Sequence, residues 1–304
     1  MNRRTFLLGR SSLPQITPIE QFFIPYDVSP PNVSTTSWSL HMGGLVQQPN
    51  TFSYQELVSL PQSERIQTLM SIANPTGGRF FGTARWEGIP FNYLLDKLHV
   101  SSKARYANIY SADGRMVRIE LEFLSHAQTL LALKMNRETL SSEHGYPARL
   151  IVPFVYDYKM PKWITRIEFT DSYEQDDWER LGWSPRGIVQ THAIILSPHH
   201  QARIASRTIQ IEGIAFAGGR RITKVEVNIN ERGWMPTLLY PASYPFAAIK
   251  WSVEWQPPIA GSYQIAVRAT DERGFTQYLR QQHPKPDGSQ AIHHIVVHVI
   301  ETAL

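Results

Sequence analysis

One short stretch of the chain holds more groups able to do chemistry than any other. "HGYPARLIVPFVYDYKMPKW" places His144, Arg149, Lys159 and Lys162 within 19 residues, interleaved with Tyr146, Tyr156, Tyr158 and Trp163. Fixed cations among aromatic rings suit a ligand that carries both a phosphate and a flat ring. A guanidinium grips phosphate as a fork, and an ammonium adds a mobile point charge. The same residue types also suit a solvated basic face. Pro161 and Trp163 favour the first use, because they imply a shaped turn. A second stretch, "QTLMSIANPTGG", sets Ser71 in a loop that ends on two glycines. Ser71 is a reactive group, a metal ligand or inert filler, depending on what surrounds it.

Other chemistries are excluded by what the sequence lacks. With no cysteine among 304 residues there is no disulfide, thiol nucleophile, zinc–thiolate site or iron–sulfur cluster. There is no phosphate-binding P-loop, GxSxG, HExxH or dinucleotide fingerprint. The adjacent pairs His199–His200 and His293–His294 lack metal-ligand spacing. The formal charge of +4 is spread along the chain, which argues against a nucleic-acid partner. No run of about 18 apolar residues predicts a membrane span. The opening "MNRRTFLLGRSS" has a twin-arginine-like start but a short apolar segment. It is read as a basic arm over residues 1–13, compatible with a cytoplasmic protein or with an exported one.

The elements that must position these residues fall into two regimes. Residues 1–198 mix strands with short helices without regular βαβ alternation, which predicts an α+β domain. Strands are expected in "TSWSLHMGGLV", "RIQTLMSIA", "RYANIYSADG", "ARLIVPFV" and "KWITRIEFTD". "SYQELVSLP" predicts a helix capped by Ser53, with Glu56 as the capping-box partner. "PFNYLLDKLHV" predicts a helix opened by Pro90 with Leu94, Leu95 and Leu98 on one face. "EFLSHAQTLLALKMN" predicts a helix followed by a strand. Asp176 to Pro198 reads as a link packed on the first domain through Trp178 and Trp183. Residues 199–304 give about seven short strands between Gly, Pro and Asn turns, as in an immunoglobulin-like β-sandwich. Trp251 and Trp255 are its candidate core or interface aromatics.

The stretch "EHGYPARLIVPFVYDYKMPKWITRIEFTD" resembles the pterin-phosphate segment of sulfite-oxidase-type molybdenum enzymes. The likeness extends to "TPIEQFF", "WSLHMGGLVQQP", "GTARWEGIPFNYLL", "YSADG" and "LLALKMNRETL". The β-rich end, "IEGIAFAGGRRITKVEVNINERGWMPT" with "GSYQIAVRATDERGFTQ", is similar to that family's dimerisation domain. The resemblance implies a molybdopterin-dependent oxidoreductase performing oxygen-atom transfer. It implies a homodimer built through the sandwich and an external electron acceptor. It places pterin-phosphate contacts on His144, Arg149 and Lys162, with backbone from Met160 and Pro161, and a further contact at Ser111.

Two departures accompany the likeness. The family loop runs Thr-Leu-x-Cys-Val/Ile-Ser/Ala-Asn-x-x-Gly-Gly, its cysteine thiolate binding molybdenum. Thr68, Leu69, Ile72, Ala73, Asn74, Gly77 and Gly78 match, and Ser71 stands at the cysteine position. Ser71 could bind the metal as an alkoxide, or line a pterin site whose metal is unanchored. The third alternative is an inactive homologue that has lost its cofactor and acts as a binding or scaffold protein. The second departure lies after the paired phenylalanines. Where many sulfite oxidases carry Arg-Asn-His, this chain has Pro25, Tyr26 and Asp27, which weakens the attraction for an oxyanion there.

Overall fold

The computed structural model describes residues 16–24, 29–240, 242, 244–277 and 282–301. The basic arm through residue 13 lies outside the described residues, as do Pro25, Tyr26 and Asp27. The first domain runs β1 (Ser39–Gly44), β2 (Asn50–Ser53), α1 (Tyr54–Ser59), β3 (Ser63–Met70), β4 (Phe81–Pro90), α2 (Phe91–Leu98), β5 (Tyr106–Ser111) and β6 (Met116–Glu120). It continues with α3 (Leu121–Leu124), β7 (Leu130–Met135), β8 (Glu138–Thr139), β9 (Arg149–Ile151), β10 (Ile164–Thr170) and α4 (Asp177–Arg180). One sheet has the order β2-β1-β10-β5-β6. The other has the order β3-β4-β7-β8, with β9 also paired to β7. Strand β1 pairs in parallel with β10, which lies far along the chain, so two distant segments close the first sheet.

Local chemistry accounts for the helices. The Ser53 hydroxyl accepts from the Glu56 amide, and the Glu56 carboxylate accepts from the Ser53 amide, the capping box expected at α1. Helix α2 begins after Pro90 and buries Phe91, Leu94 and Leu98, with Leu95 half-buried beside them. His99 ends it in the left-handed conformation. The helix expected in "EFLSHAQTLLALKMN" is the single turn α3, and the strand after it is β7.

The second half is a sandwich. Its strands are β11 (His192–Ser197), β12 (Ala202–Ala205), β13 (Ile209–Phe216), β14 (Ile222–Ile229), β15 (Trp234–Pro236), β16 (Leu238–Tyr240), β17 (Ile249–Trp255), β18 (Gly261–Asp271) and β19 (His293–Ile300). They form two sheets, β11-β13-β17-β16 and β12-β19-β18-β14-β15. The inward residues of both sheets share one apolar cluster that includes Ile211, Val227, Trp251 and Val267. Trp251 is fully buried, its indole N–H donating to the Ile214 carbonyl at 3.0 Å. Trp255 sits half-buried with Tyr263 across it at 4.9 Å.

The segment expected as a link behaves in two ways. Trp178 and Trp183 pack on the first core as anticipated. His192–Ser197, however, forms strand β11 and pairs antiparallel with β13, so the sandwich begins before residue 199. The run "HAIILS" is apolar enough to need burial on both faces, which a bare link cannot give. The two halves also touch at the end of β3. The Thr68 amide donates to the Phe246 carbonyl at 2.9 Å, and Thr76 and Ser289 share a hydroxyl hydrogen bond at 2.6 Å. The loop carrying Ser71 is therefore held between both domains. Among the described residues no helix is long and apolar enough to cross a membrane.

Candidate functional site

The chain from His144 to Leu150 lies against the chain from Met160 to Ile164. Leu150 N–H donates to the Pro161 carbonyl at 3.0 Å, and Ile164 N–H donates to the Ala148 carbonyl at 3.2 Å. These bonds bring Arg149, at the start of β9, beside Lys162, just before β10. Gly145 makes the approach feasible. It adopts φ +111°, and a Cβ there would stand 2.9 Å from the Arg149 Cβ and 3.1 Å from the Lys162 Cβ. The Ala112 amide donates to the Trp163 carbonyl at 2.8 Å, which brings the end of β5, with Ser111, to the same place.

The result is a cleft of about 720 Å³, its open mouth included. Ser111, His144, Arg149, Met160, Pro161 and Lys162 all line it, with Phe22, Phe23 and Leu69 on an apolar wall. Lys159 does not line it. It is buried on the far side of its turn and pairs with Asp176 and Glu179, so the basic cluster of the sequence loses one cation to the core. In an irregular turn neighbouring side chains diverge, which spacing alone did not reveal.

The electrostatics follow from burial. Arg149 is 5% exposed; its Nη1 donates to the His144 carbonyl at 3.1 Å, its plane sits 5.0 Å from the Trp86 ring, and its Nε–H has no partner. Burial lowers its pKa to about 10, still fully cationic at neutral pH. Lys162 donates to the Glu143 carbonyl at 2.8 Å and lies 4.4 Å from the Trp163 ring. Burial, then the neighbouring Arg149 charge, lower it to about 8. The His144 Nε2 faces the Ile19 carbonyl at 3.3 Å, which assigns the proton to that nitrogen. Burial, then Arg149, hold its imidazole down at about 4, so it is neutral at pH 7. An unpartnered buried guanidinium N–H beside a second cation suits an anion such as a phosphate group.

Ser71 is only 1% exposed and does not line this cleft. Its hydroxyl oxygen accepts from the Ala73 amide at 3.3 Å. Its amide donates to the Phe80 carbonyl at 2.9 Å. Asn74 and Gly77, at φ +74°, complete a tight turn, as the paired glycines suggested. The hydroxyl loop nevertheless adjoins the cleft through Ile72, whose backbone N–H is close enough to the carboxylate of Asp157 on the cleft wall to favour its ionised form. Sequence reasoning passed over Asp157. The available signal was an acid in "YDYK", between two tyrosines in an otherwise apolar run.

Residues 27–178 match the oxidoreductase molybdopterin-binding domain, and residues 188–282 match the Mo-co oxidoreductase dimerisation domain. The chain belongs to the molybdopterin-binding oxidoreductase family. It is 26% identical to the NADH nitrate reductase of Solanum lycopersicum over 327 residues, covering 86% of this chain and 36% of that protein. It is 30% identical to the uncharacterized oxidoreductase YuiH of Bacillus subtilis over 152 residues, half of this chain and 75% of the other. The fold matches the sulfane dehydrogenase SoxCD of Paracoccus pantotrophus with a TM-score of 0.82, at 21% identity, over 96% of this chain and 85% of that one. The chain spans about a third of the length of the nitrate reductases it matches. The α+β domain followed by a sandwich is thus the architecture of this oxidoreductase family, and a molybdenum–molybdopterin cofactor is the group its first domain implies.

The residues present fit that cofactor at its phosphate end. Arg149 and Lys162 bring two cations and the free Arg149 Nε–H to the cleft; Met160 and Pro161 line it without a free backbone N–H, since the Met160 N–H donates to the Asp157 carbonyl at 2.8 Å and proline has none. Ser71, which stands where the family loop has its cysteine, presents a buried hydroxyl outside the cleft lining.

Proposed function

We propose that this chain is a molybdopterin-dependent oxidoreductase. The reading rests on one observation: His144, Arg149 and Lys162, distributed over 19 residues, converge on a single cleft where a buried guanidinium N–H stands without a partner. When bound, the molybdenum–pterin group supplies a metal that gives or accepts an oxygen atom and two electrons. The chain's own residues then have separate tasks. Arg149 and Lys162 hold the phosphate tail, and neutral His144, its one N–H turned to the Ile19 carbonyl, ties the opening segment to the cleft without adding charge. Phe22, Phe23 and Leu69 exclude water from the adjoining wall. Ser71, buried in its loop beside the cleft, would be the residue to hold the metal. The sandwich pairs two copies of the chain, and electrons pass to an external acceptor.

The test is composition before activity. The full chain is purified from a host that makes the cofactor, and molybdenum and released pterin are counted per chain. Stoichiometry near one for both supports the proposal, and Arg149→Met should lower both at least tenfold, through loss of about 1.5–3 kcal/mol from a charge-assisted contact. Pterin without metal points to an unanchored site. Neither group in the wild type favours the inactive homologue, a reading for which the burial of the Ser71 hydroxyl speaks.

A further inference from the structure

The anion cleft contains an acid. Asp157 opens the 3-10 turn Asp157–Lys159, and its carboxylate lines the same cleft as Arg149 and Lys162. The backbone N–H groups of Tyr158 and Ile72 lie close enough to favour its ionised form, while Oδ1 has no partner. Neither cation is bonded to it, since Arg149 donates to the His144 carbonyl and Lys162 to the Glu143 carbonyl. An ionised carboxylate here would face an arriving phosphate acceptor to acceptor, with no hydrogen between them. A protonated one supplies that hydrogen.

The charges around the cleft point the same way. From β9 comes Arg149, and from the turn before β10 comes Lys162. The segment before β9 brings neutral His144 and, acting on Lys162 and His144, Glu143. From the turn after β5 come Asp113 and Arg115, which pair with each other at 3.4 Å. Lys159 turns away to Asp176 and Glu179. With Glu143 counted, ionised Asp157 leaves about no net charge beside the ligand, and protonated Asp157 leaves about one positive charge, the more favourable of the two counts for a dianion.

We propose that the cleft takes up its dianionic ligand together with one proton, which resides on Asp157 and is shared with a ligand oxygen. Nothing covalent is made or broken: a solvent proton adds to the carboxylate, and the new O–H donates to the anion. This deepens, and rests on, the reading of the cleft as a phosphate-holding site. Burial has already prepared the group, raising the Asp157 carboxyl to about 7 against the pull of Arg149 and Lys162.

Sulfate is a suitable probe, because it is a tetrahedral dianion with no proton of its own in this range. Calorimetric titration of the cofactor-free full chain, in buffers of different ionisation heat, counts protons without any variant. The expected result at pH 7 is uptake of about half a proton per sulfate, with affinity falling about fourfold from pH 6.0 to 7.5 as the competent fraction shrinks. In Asp157→Asn the uptake should vanish, and the affinity should become nearly flat over that range. Sulfate bound by the wild type without proton uptake overturns the inference, as does uptake that persists in Asp157→Asn, which would belong to His144 or Lys162. A wild type that binds no sulfate even at pH 6 overturns the phosphate-site reading itself, and the inference with it.

Discussion

Four charged side chains sit behind the cleft, out of water. Arg118, Lys159, Asp176 and Glu179 are each 7% exposed or less. Arg118 Nη2 donates to Glu179 at 2.6 Å, and Lys159 reaches Asp176, Glu179 at 3.4 Å and the Arg118 carbonyl at 3.2 Å. Two positive charges thus balance two negative ones. Lys159→Met keeps much of the volume but leaves two carboxylates with one cation. Breaking a buried pair by removing one partner costs about 3–5 kcal/mol. Lys159→Met combined with Glu179→Gln restores neutrality. The amide oxygen can still accept from Arg118, so the double variant should be more stable than Lys159→Met alone by about 1–3 kcal/mol. Denaturant unfolding followed by tryptophan fluorescence measures both, since Trp178 packs against Tyr158 in this corner at 6.0 Å. A Lys159→Met cost below about 1 kcal/mol, the range of an exposed pair, would refute the reasoning. So would a double variant no more stable than the single one.

Acid should weaken the fold through its buried histidines. His144, His192 and His293 are all held down at about 4, in each case chiefly by burial. A folded value below the unfolded one means that their contribution is complete above about pH 6.5 and is lost as pH falls through 6.5 towards 4. Fully buried His192 alone accounts for about 3 kcal/mol across that window. Asp157, raised to about 7, works in the opposite sense and offsets one of the three. Unfolding midpoints at pH 7.5, 5.5 and 4.5 should therefore fall, with a shallower fall in His192→Phe; equal slopes for the two proteins would contradict this. At the metal end, Ser71→Cys should raise molybdenum per chain in a cofactor-competent host, because a thiolate is the softer and more easily ionised donor. No gain would mean that position 71 does not face the metal.

What the sequence could tell depended on how local the cause was. The Ser53–Glu56 capping box was legible because both partners lie within one turn. The grouping of His144, Arg149 and Lys162 was legible in part, since the three are close in sequence, but only the ladder between residues 144–150 and 160–164 turns proximity into a cleft. Lys159 looked like a fourth member because nothing local marks its direction. Its partners Asp176, Glu179 and Arg118 lie 17, 20 and 41 residues away, so only tertiary structure shows where it points. Strand β11 was missed for a related reason: an apolar run beside tryptophans that pack on the first core looks like a link until its pairing with β13 is seen.

Asp157 and Lys159, two residues apart, show how one short turn separates two electrostatic tasks. Lys159 faces inward, where its charge is cancelled, and the cancelled network anchors the turn to α4 and β6. Asp157 faces the cleft, where its charge is not cancelled by any direct bond. A turn fixed this firmly on one side can hold an uncompensated acid on the other without relaxing to relieve it. Lys159→Met should therefore disturb the cleft as well as stability. With the inner network unbalanced, the turn loosens, Asp157 gains access to water, and its carboxyl moves down towards the ordinary range. Sulfate binding by Lys159→Met at pH 7 should then draw in more protons per anion than the wild type does, while the affinity drops. An unchanged proton count would show that the inner network and the cleft acid are independent, and that the turn is held by packing alone.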